Sequence, residues 1–200
     1  MNICIFGASS DIIDEKYSKA AYDLSAEMAK KGHGLVFGGG GCGVMGACAK
    51  GFFDNKGYIL GVAPEFMKEY NVFFKGCTDF KLTKTMAERK TFMEDNADAF
   101  VVAPGGIGTF EEFFEVYTLK QLGRHSKPIA VFNPFGFYDK MLEALKYTVD
   151  EKFMKDASLE LISVFSSSAD LINYLEGYEG EGVDVKGLKY AFLGDEKSEK

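Results

Sequence analysis

The chain has 200 residues, 46% of them hydrophobic and 26% charged, and a formal net charge of −7. This length and balance predict one soluble globular domain with a sizeable core, and the acidic surface excludes sequence-independent nucleic-acid or anionic-membrane binding. No apolar run approaches membrane-spanning length, and four cysteines without a CxxC pair, with two histidines, support neither a zinc site nor a disulfide framework.

In chain order, Met1-Asn2-Ile3-Cys4-Ile5-Phe6 begins a strand at once, with no basic leader before it, so a cytoplasmic location is expected. A helix over 15–31 follows, in which Tyr17, Ala20, Ala21, Leu24 and Met28 recur at spacings of three and four, with Gly32 as its stop. Apolar runs at 2–7, 34–38, 58–63, 98–103 and 128–132 read as strands, with a weaker sixth near 162–165. Helical patterns fill 44–56, 83–96, 109–122, 137–153 and 168–176. The strands lack strict polar alternation, as expected when both faces are covered. Regular β–α alternation predicts an α/β, Rossmann-like, doubly wound and mostly parallel sheet with helices on both faces. The domain is expected over 1–177. Residues 178–200, rich in Gly, Glu, Asp and Lys, are expected to form a loosely held tail in which Leu188 to Phe192 offer a docking segment.

In such sheets ligands bind beyond the carboxyl ends of the strands, where both glycine clusters fall. The first places six glycines in nine positions, Gly38 to Gly46. A tight βα turn explains one or two of these; bare backbone amides approaching an anion at a helix N-terminus explain more. Its GxGxxG spacing (Gly41, Gly43, Gly46) follows the second strand rather than the first, so a dinucleotide fingerprint is poorly supported, and no Gly-Lys-Ser/Thr follows to make a P-loop. The second cluster, Pro104-Gly105-Gly106-Ile107-Gly108-Thr109-Phe110-Glu111-Glu112, ends a strand and opens a helix. Thr109 with Glu112 fits a capping box, which needs none of the preceding glycines. A carboxylate beside free amides suits a phosphorylated sugar instead.

A third feature is Arg89, set between Met86 and Met93 in an apolar helical stripe. A guanidinium there is costly unless it is paired, faces a pocket or snorkels to the edge. Adjacent Lys90 reads more simply as solvated. Together these features describe a nucleoside monophosphate site.

The motifs resemble the LOG (lonely guy) phosphoribohydrolases. The PGGxGTxxE signature stands at Pro104 to Glu112, and the M-x-E-R-K element at Met86 to Lys90. The early glycine loop matches at Gly39 to Gly46, one residue short between its glycines, and Phe6 to Ser10 looks like the family's first strand end. Ile107 stands where the family often has Tyr. The resemblance spans about residues 1 to 176. It implies a Rossmann-like homodimer that hydrolyses a purine nucleoside 5′-monophosphate, N6-substituted in the cytokinin-activating members, without metal or organic cofactor. Arg89 and Glu112 would be the catalytic pair. Ser9, Gly39, Gly40, Met86, Lys90, Gly105, Gly106, Ile107, Gly108, Thr109 and Glu111 would belong to the substrate site, with Glu65 on the base side. A non-hydrolysing nucleotide sensor or carrier on the same fold is the alternative. A pyridoxal-dependent decarboxylase would need a Schiff-base lysine with pyridinium and phosphate partners, and no such set can be assigned.

Overall fold

Side chains along each strand point alternately to the two faces of the sheet, and here both faces are apolar. In β1 (Asn2–Phe6), Ile3 and Ile5 join one core, while Cys4 and Phe6 join the other. The same division splits β2 (Gly34–Phe37), β3 (Ile59–Pro64), β5 (Ala99–Val102) and β6 (Ile129–Phe132). A sheet with two apolar faces must be covered twice. The computed structural model, which describes residues 1–70, 72–180 and 187–188, shows how.

The sheet has seven strands in the order β4 (Asp79–Thr83), β3, β2, β1, β5, β6 and β7 (Ser163–Phe165), and every ladder is parallel. Helices α1 (Glu15–Lys30), α2 (Gly43–Asp54) and α6 (Ser168–Glu176) supply the first core, through residues such as Leu24, Phe52 and Leu171. Helices α3 (Met86–Asp95), α4 (Ile107–Gln121) and α5 (Asp139–Asp150) supply the second, through Met93, Phe113 and Leu145. This is the doubly wound fold expected from the sequence, and it is parallel throughout its ladders.

Two elements differ from expectation. The edge strand β4 (Asp79–Thr83) was not anticipated, and residue 83 ends it rather than starting a helix. Its solvated edge alternates Asp79 and Lys81 with Phe80 and Leu82, a short pattern masked by charge. Helix α4 starts at Ile107, two residues before its expected first residue, with Gly106 as its N-cap. The weak sixth run is confirmed as β7 (Ser163–Phe165), and Gly32 does follow α1 with φ +82°.

The expected loose tail falls largely on 181–186 and 189–200, outside the described residues. Its start is held: the Lys120 Nζ donates to the Tyr178 hydroxyl at 3.1 Å, and the Tyr178 ring meets Tyr174 edge-on. Leu188 is buried.

The chain leaves β1 toward β2, β3 and β4, then returns through α3 to β5 on the other side of β1. The switch point therefore lies between β1 and β5, where the Ile3–Ala99 to Phe6–Val102 register brings two strand ends together. Two backbone bonds carry the pairing past the strand ends: Ala103 N–H donates to Phe6 at 2.9 Å, and Ala8 N–H donates to Pro104 at 3.0 Å.

Candidate active site

A cleft of 620 Å³ opens above this switch point, within the size range of small-molecule sites. Its polar lining is formed by Ser9, Ser10, Arg89, Thr109, Glu111 and Glu112. Met45, Met67, Tyr70, Val72, Phe73 and Met86 add an apolar wall to the same cleft. An antiparallel bridge between Gly40 and Phe73 ties that wall to the first glycine loop.

Arg89 reaches the cleft because α3 starts where it does. Thr85 caps the helix, its hydroxyl accepting from Glu88 N–H at 3.1 Å, while the Glu88 carboxylate accepts from Lys84 N–H at 2.9 Å. That start turns the fourth helical residue inward, and Arg89 is 6% exposed. Its Nη1 donates to Glu112 Oε1 at 2.8 Å, and its Nε donates to the Val62 carbonyl at 3.1 Å. Gly38 is needed beneath it, since a Cβ there would collide with the guanidinium. The guanidinium inside the apolar stripe thus has both a partner and a cavity.

Glu112, two residues into the second turn of α4, has a side chain only 11% exposed. Burial pushes its carboxyl above the usual carboxylate range, and Arg89 pulls the other way. The capping box is not formed. Gly106 is the N-cap, Thr109 lies inside the first turn, and Glu112 is committed to Arg89. Thr109 instead packs over Gly105, where a Cβ would strike its side chain. Gly105 is further fixed by Tyr138, whose buried hydroxyl donates to Ala103 at 2.7 Å and accepts from Gly105 N–H.

No side chain caps the start of α4, and its first ladder bond runs from Phe110 N–H to Gly106 at 3.0 Å. The amides of Ile107, Gly108 and Thr109 thus precede the helical ladder, at the positive end of the helix dipole. A Cβ at Gly106 or Gly108 would meet nothing within 4 Å, and neither residue has a positive φ. The fold therefore gives no reason for glycine at either position, while both line the cleft.

The first glycine loop behaves differently. Gly39 and Gly43 have φ of +76° and +61°, and a Cβ at Gly43 would lie 2.6 Å from the carbonyls of Ala8 and Ser10. Gly41 N–H donates to Val72, Met45 N–H to Ala8, and Gly43 N–H to the Asp11 carboxylate at 2.7 Å. Several of its amides are thus spent within the protein, and most of its glycines have a fold reason.

Of the expected site residues, Ser9, Gly40, Met86, Arg89, Gly106, Ile107, Gly108, Thr109, Glu111 and Glu112 all line the cleft. Gly39, Glu65, Lys90 and Gly105 do not. Gly39 packs under Phe80, and exposed Glu65 opens a 3-10 turn over Glu65–Tyr70 whose Met67 and Tyr70 face the cleft instead. Lys90, on α3, is paired with Glu111 and, at 2.7 Å, with Glu115 of α4. Burial lowers its pKa, but those two carboxylates outweigh burial and raise it overall. The sequence reading missed the apolar wall from Met67 to Phe73, for which the paired aromatics Phe73-Phe74 were the available signal.

Residues 45–175 match a family model described as "Possible lysine decarboxylase". A cytokinin riboside 5′-monophosphate phosphoribohydrolase of Arabidopsis thaliana, LOG2, is 35% identical over 88% of this chain and 83% of its own length. The enzyme of the same description from Oryza sativa subsp. japonica, LOG, is 35% identical over 90% of this chain and 74% of its own. Among solved structures, the molybdenum cofactor carrier protein of Chlamydomonas reinhardtii shares the fold with a TM-score of 0.67 at 22% identity, covering 88% of this chain and 95% of the other.

Proposed function

Because the chain belongs to the LOG family of phosphoribohydrolases, we propose that it cleaves the N-glycosidic bond of a purine nucleoside 5′-monophosphate to the free base and ribose 5-phosphate. The observation that carries this reading is the buried Arg89–Glu112 pair, facing one cleft with the uncapped α4 amides and two glycines that leave room beside them.

On this reading the 5′-phosphate seats against the first turn of α4, where amides and dipole favour an anion. The apolar wall receives the base. Glu112 then lies beside the ribose, accepts from its hydroxyls and stabilises the positive charge that grows on the sugar as the bond to the base breaks. The electron pair leaves with the purine, water adds to the anomeric carbon, and the proton that the water gives up is taken by the departing base. Arg89 keeps Glu112 ionised and oriented; its high pKa makes it a poor proton donor at neutral pH. Cytokinin-type N6-substituted bases are the substrates the apolar wall suits best, and a homodimer in the cytoplasm is the accompanying expectation.

The test is to incubate the protein with AMP and N6-substituted AMP and detect released base by mass. Glu112→Gln is expected to keep the fold and to lower kcat by about 10³-fold. Undiminished turnover in that variant removes Glu112 from the chemistry. Tight AMP binding without base release from any monophosphate replaces the hydrolase with the carrier or sensor reading.

A further inference from the structure

Lys90 follows the arginine of the motif and was expected to touch substrate, yet it does not line the cleft and is instead paired with carboxylates of α4. Its Nζ is held by Glu111 and by Glu115, and its side chain is 17% exposed. With Phe6, Met93, Glu94, Glu112 and Glu115 it encloses a space with no room for a water molecule. Charges lining so small a space are screened less than they would be in open water.

The groups around Glu112 are Arg89, Lys90 and Glu94 from α3, Glu111 and Glu115 from its own helix, and the buried Cys4 thiol from β1. Arg89 and Lys90 favour its ionised form and Glu111 opposes it. Arg89 bonds it directly from the cleft side. Lys90 lines the same small space as Glu112, and through Glu111 and Glu115, one turn apart on α4, it also fastens α3 to α4.

We propose that Lys90 is a positioning residue of this site, a cation beside Glu112 that locks α3 to α4 through Glu111 and Glu115, rather than a ligand of the phosphate. The inference deepens the hydrolase reading and rests on it for the kinetic part alone. Removing the cation makes Glu112 harder to ionise, so the acid limb of kcat, below which Glu112 is protonated, moves to higher pH.

The experiment compares wild type, Lys90→Met and Lys90→Arg. In Lys90→Met the acid limb of kcat with AMP is expected to move to higher pH, as is the Glu112 carboxyl titration followed by carbon NMR. Lys90→Arg should restore both. KM for AMP should change by less than about threefold, because no ground-state contact is lost. An unmoved Glu112 titration overturns the proposal. So does a KM raised by more than about tenfold with kcat and its pH profile intact, the mark of a phosphate ligand. If Lys90→Met does not fold, the Lys90 ammonium resonance of wild type decides: positioning predicts no response to AMP or inorganic phosphate, and a response as large as that of the α4 amides overturns it. If wild type releases no base, the hydrolase reading falls by itself. The Glu112 titration and the ammonium spectrum then still judge Lys90.

Discussion

Gly108 and Gly43 stand in neighbouring loops and are glycine for opposite reasons. Gly43 has φ +61° and would press a Cβ onto two carbonyls, so Gly43→Ala should destabilise the fold by about 2 kcal/mol or more in denaturant titration. Gly108 is unstrained, sits within a helix and faces open space. Gly108→Ala should therefore stabilise the fold by about 0.5–1 kcal/mol, since glycine costs a helix that much relative to alanine. The same methyl would occupy the room beside the α4 amides, and calorimetry should show AMP binding weakened by about tenfold or more. A variant that gains stability and keeps full affinity would show that the open space serves no ligand. Sequence alone could mark both glycines but could not rank them, because the difference lies in what surrounds each Cβ.

At the scale of elements, the placement of a helix start decides which side chains reach the cleft. Thr85 fixes the start of α3, and Arg89 follows one turn later on its inner side. Thr85→Ala should cost about 1 kcal/mol of stability and lower kcat as Arg89 loses its fixed approach to Glu112. Unchanged kcat with reduced stability would separate the cap from the chemistry. A Thr-x-x-Glu pattern stands near the start of α3, at Thr85–Glu88, and near the start of α4, at Thr109–Glu112, and of these two only the first caps its helix. Nothing local distinguishes them. The second is overruled by Arg89, which is distant in sequence and competes for Glu112 with a stronger, charge-assisted bond. The central strands were legible because burial on both faces makes them continuous apolar runs. Edge strand β4 was not, because half of it is solvated and charged.

For the molecule as a whole, the buried acidic groups between α3 and α4 set how stability depends on pH. Burial, then Glu115, push the half-buried Glu94 carboxyl up to about 7; Lys90 and Lys127 pull it down and Asp95 adds to the rise. Between its ordinary value of 4.5 and about 7 the folded protein binds the proton that the unfolded chain has released. Stability should thus fall as pH rises through that window. Glu94→Gln should flatten the decline in pH-dependent thermal melts and leave the variant the more stable protein at pH 8. A wild-type profile that is level or rising over this window would contradict the buried, proton-holding state of Glu94. None of this was readable from the sequence, where Glu94 is one acidic residue among many. Arg89 and Glu112 were readable because a guanidinium inside an apolar stripe and a glycine-opened helix are each locally out of place.

One rod, α4, carries the bare amides at its first turn, Glu112 in its second, and Glu111 and Glu115 on the side toward Lys90. A helix rises about 1.5 Å per residue, so Gly108 and Glu112 are separated by about 6 Å along the axis. No loop adjustment can stretch or shorten that interval. On the proposed reading α4 works as a caliper, with jaws set to the span from a phosphoryl group to the far side of one pentose. A diphosphate, seated by its terminal group, would hold its glycosidic carbon out of the acid's reach however tightly it bound.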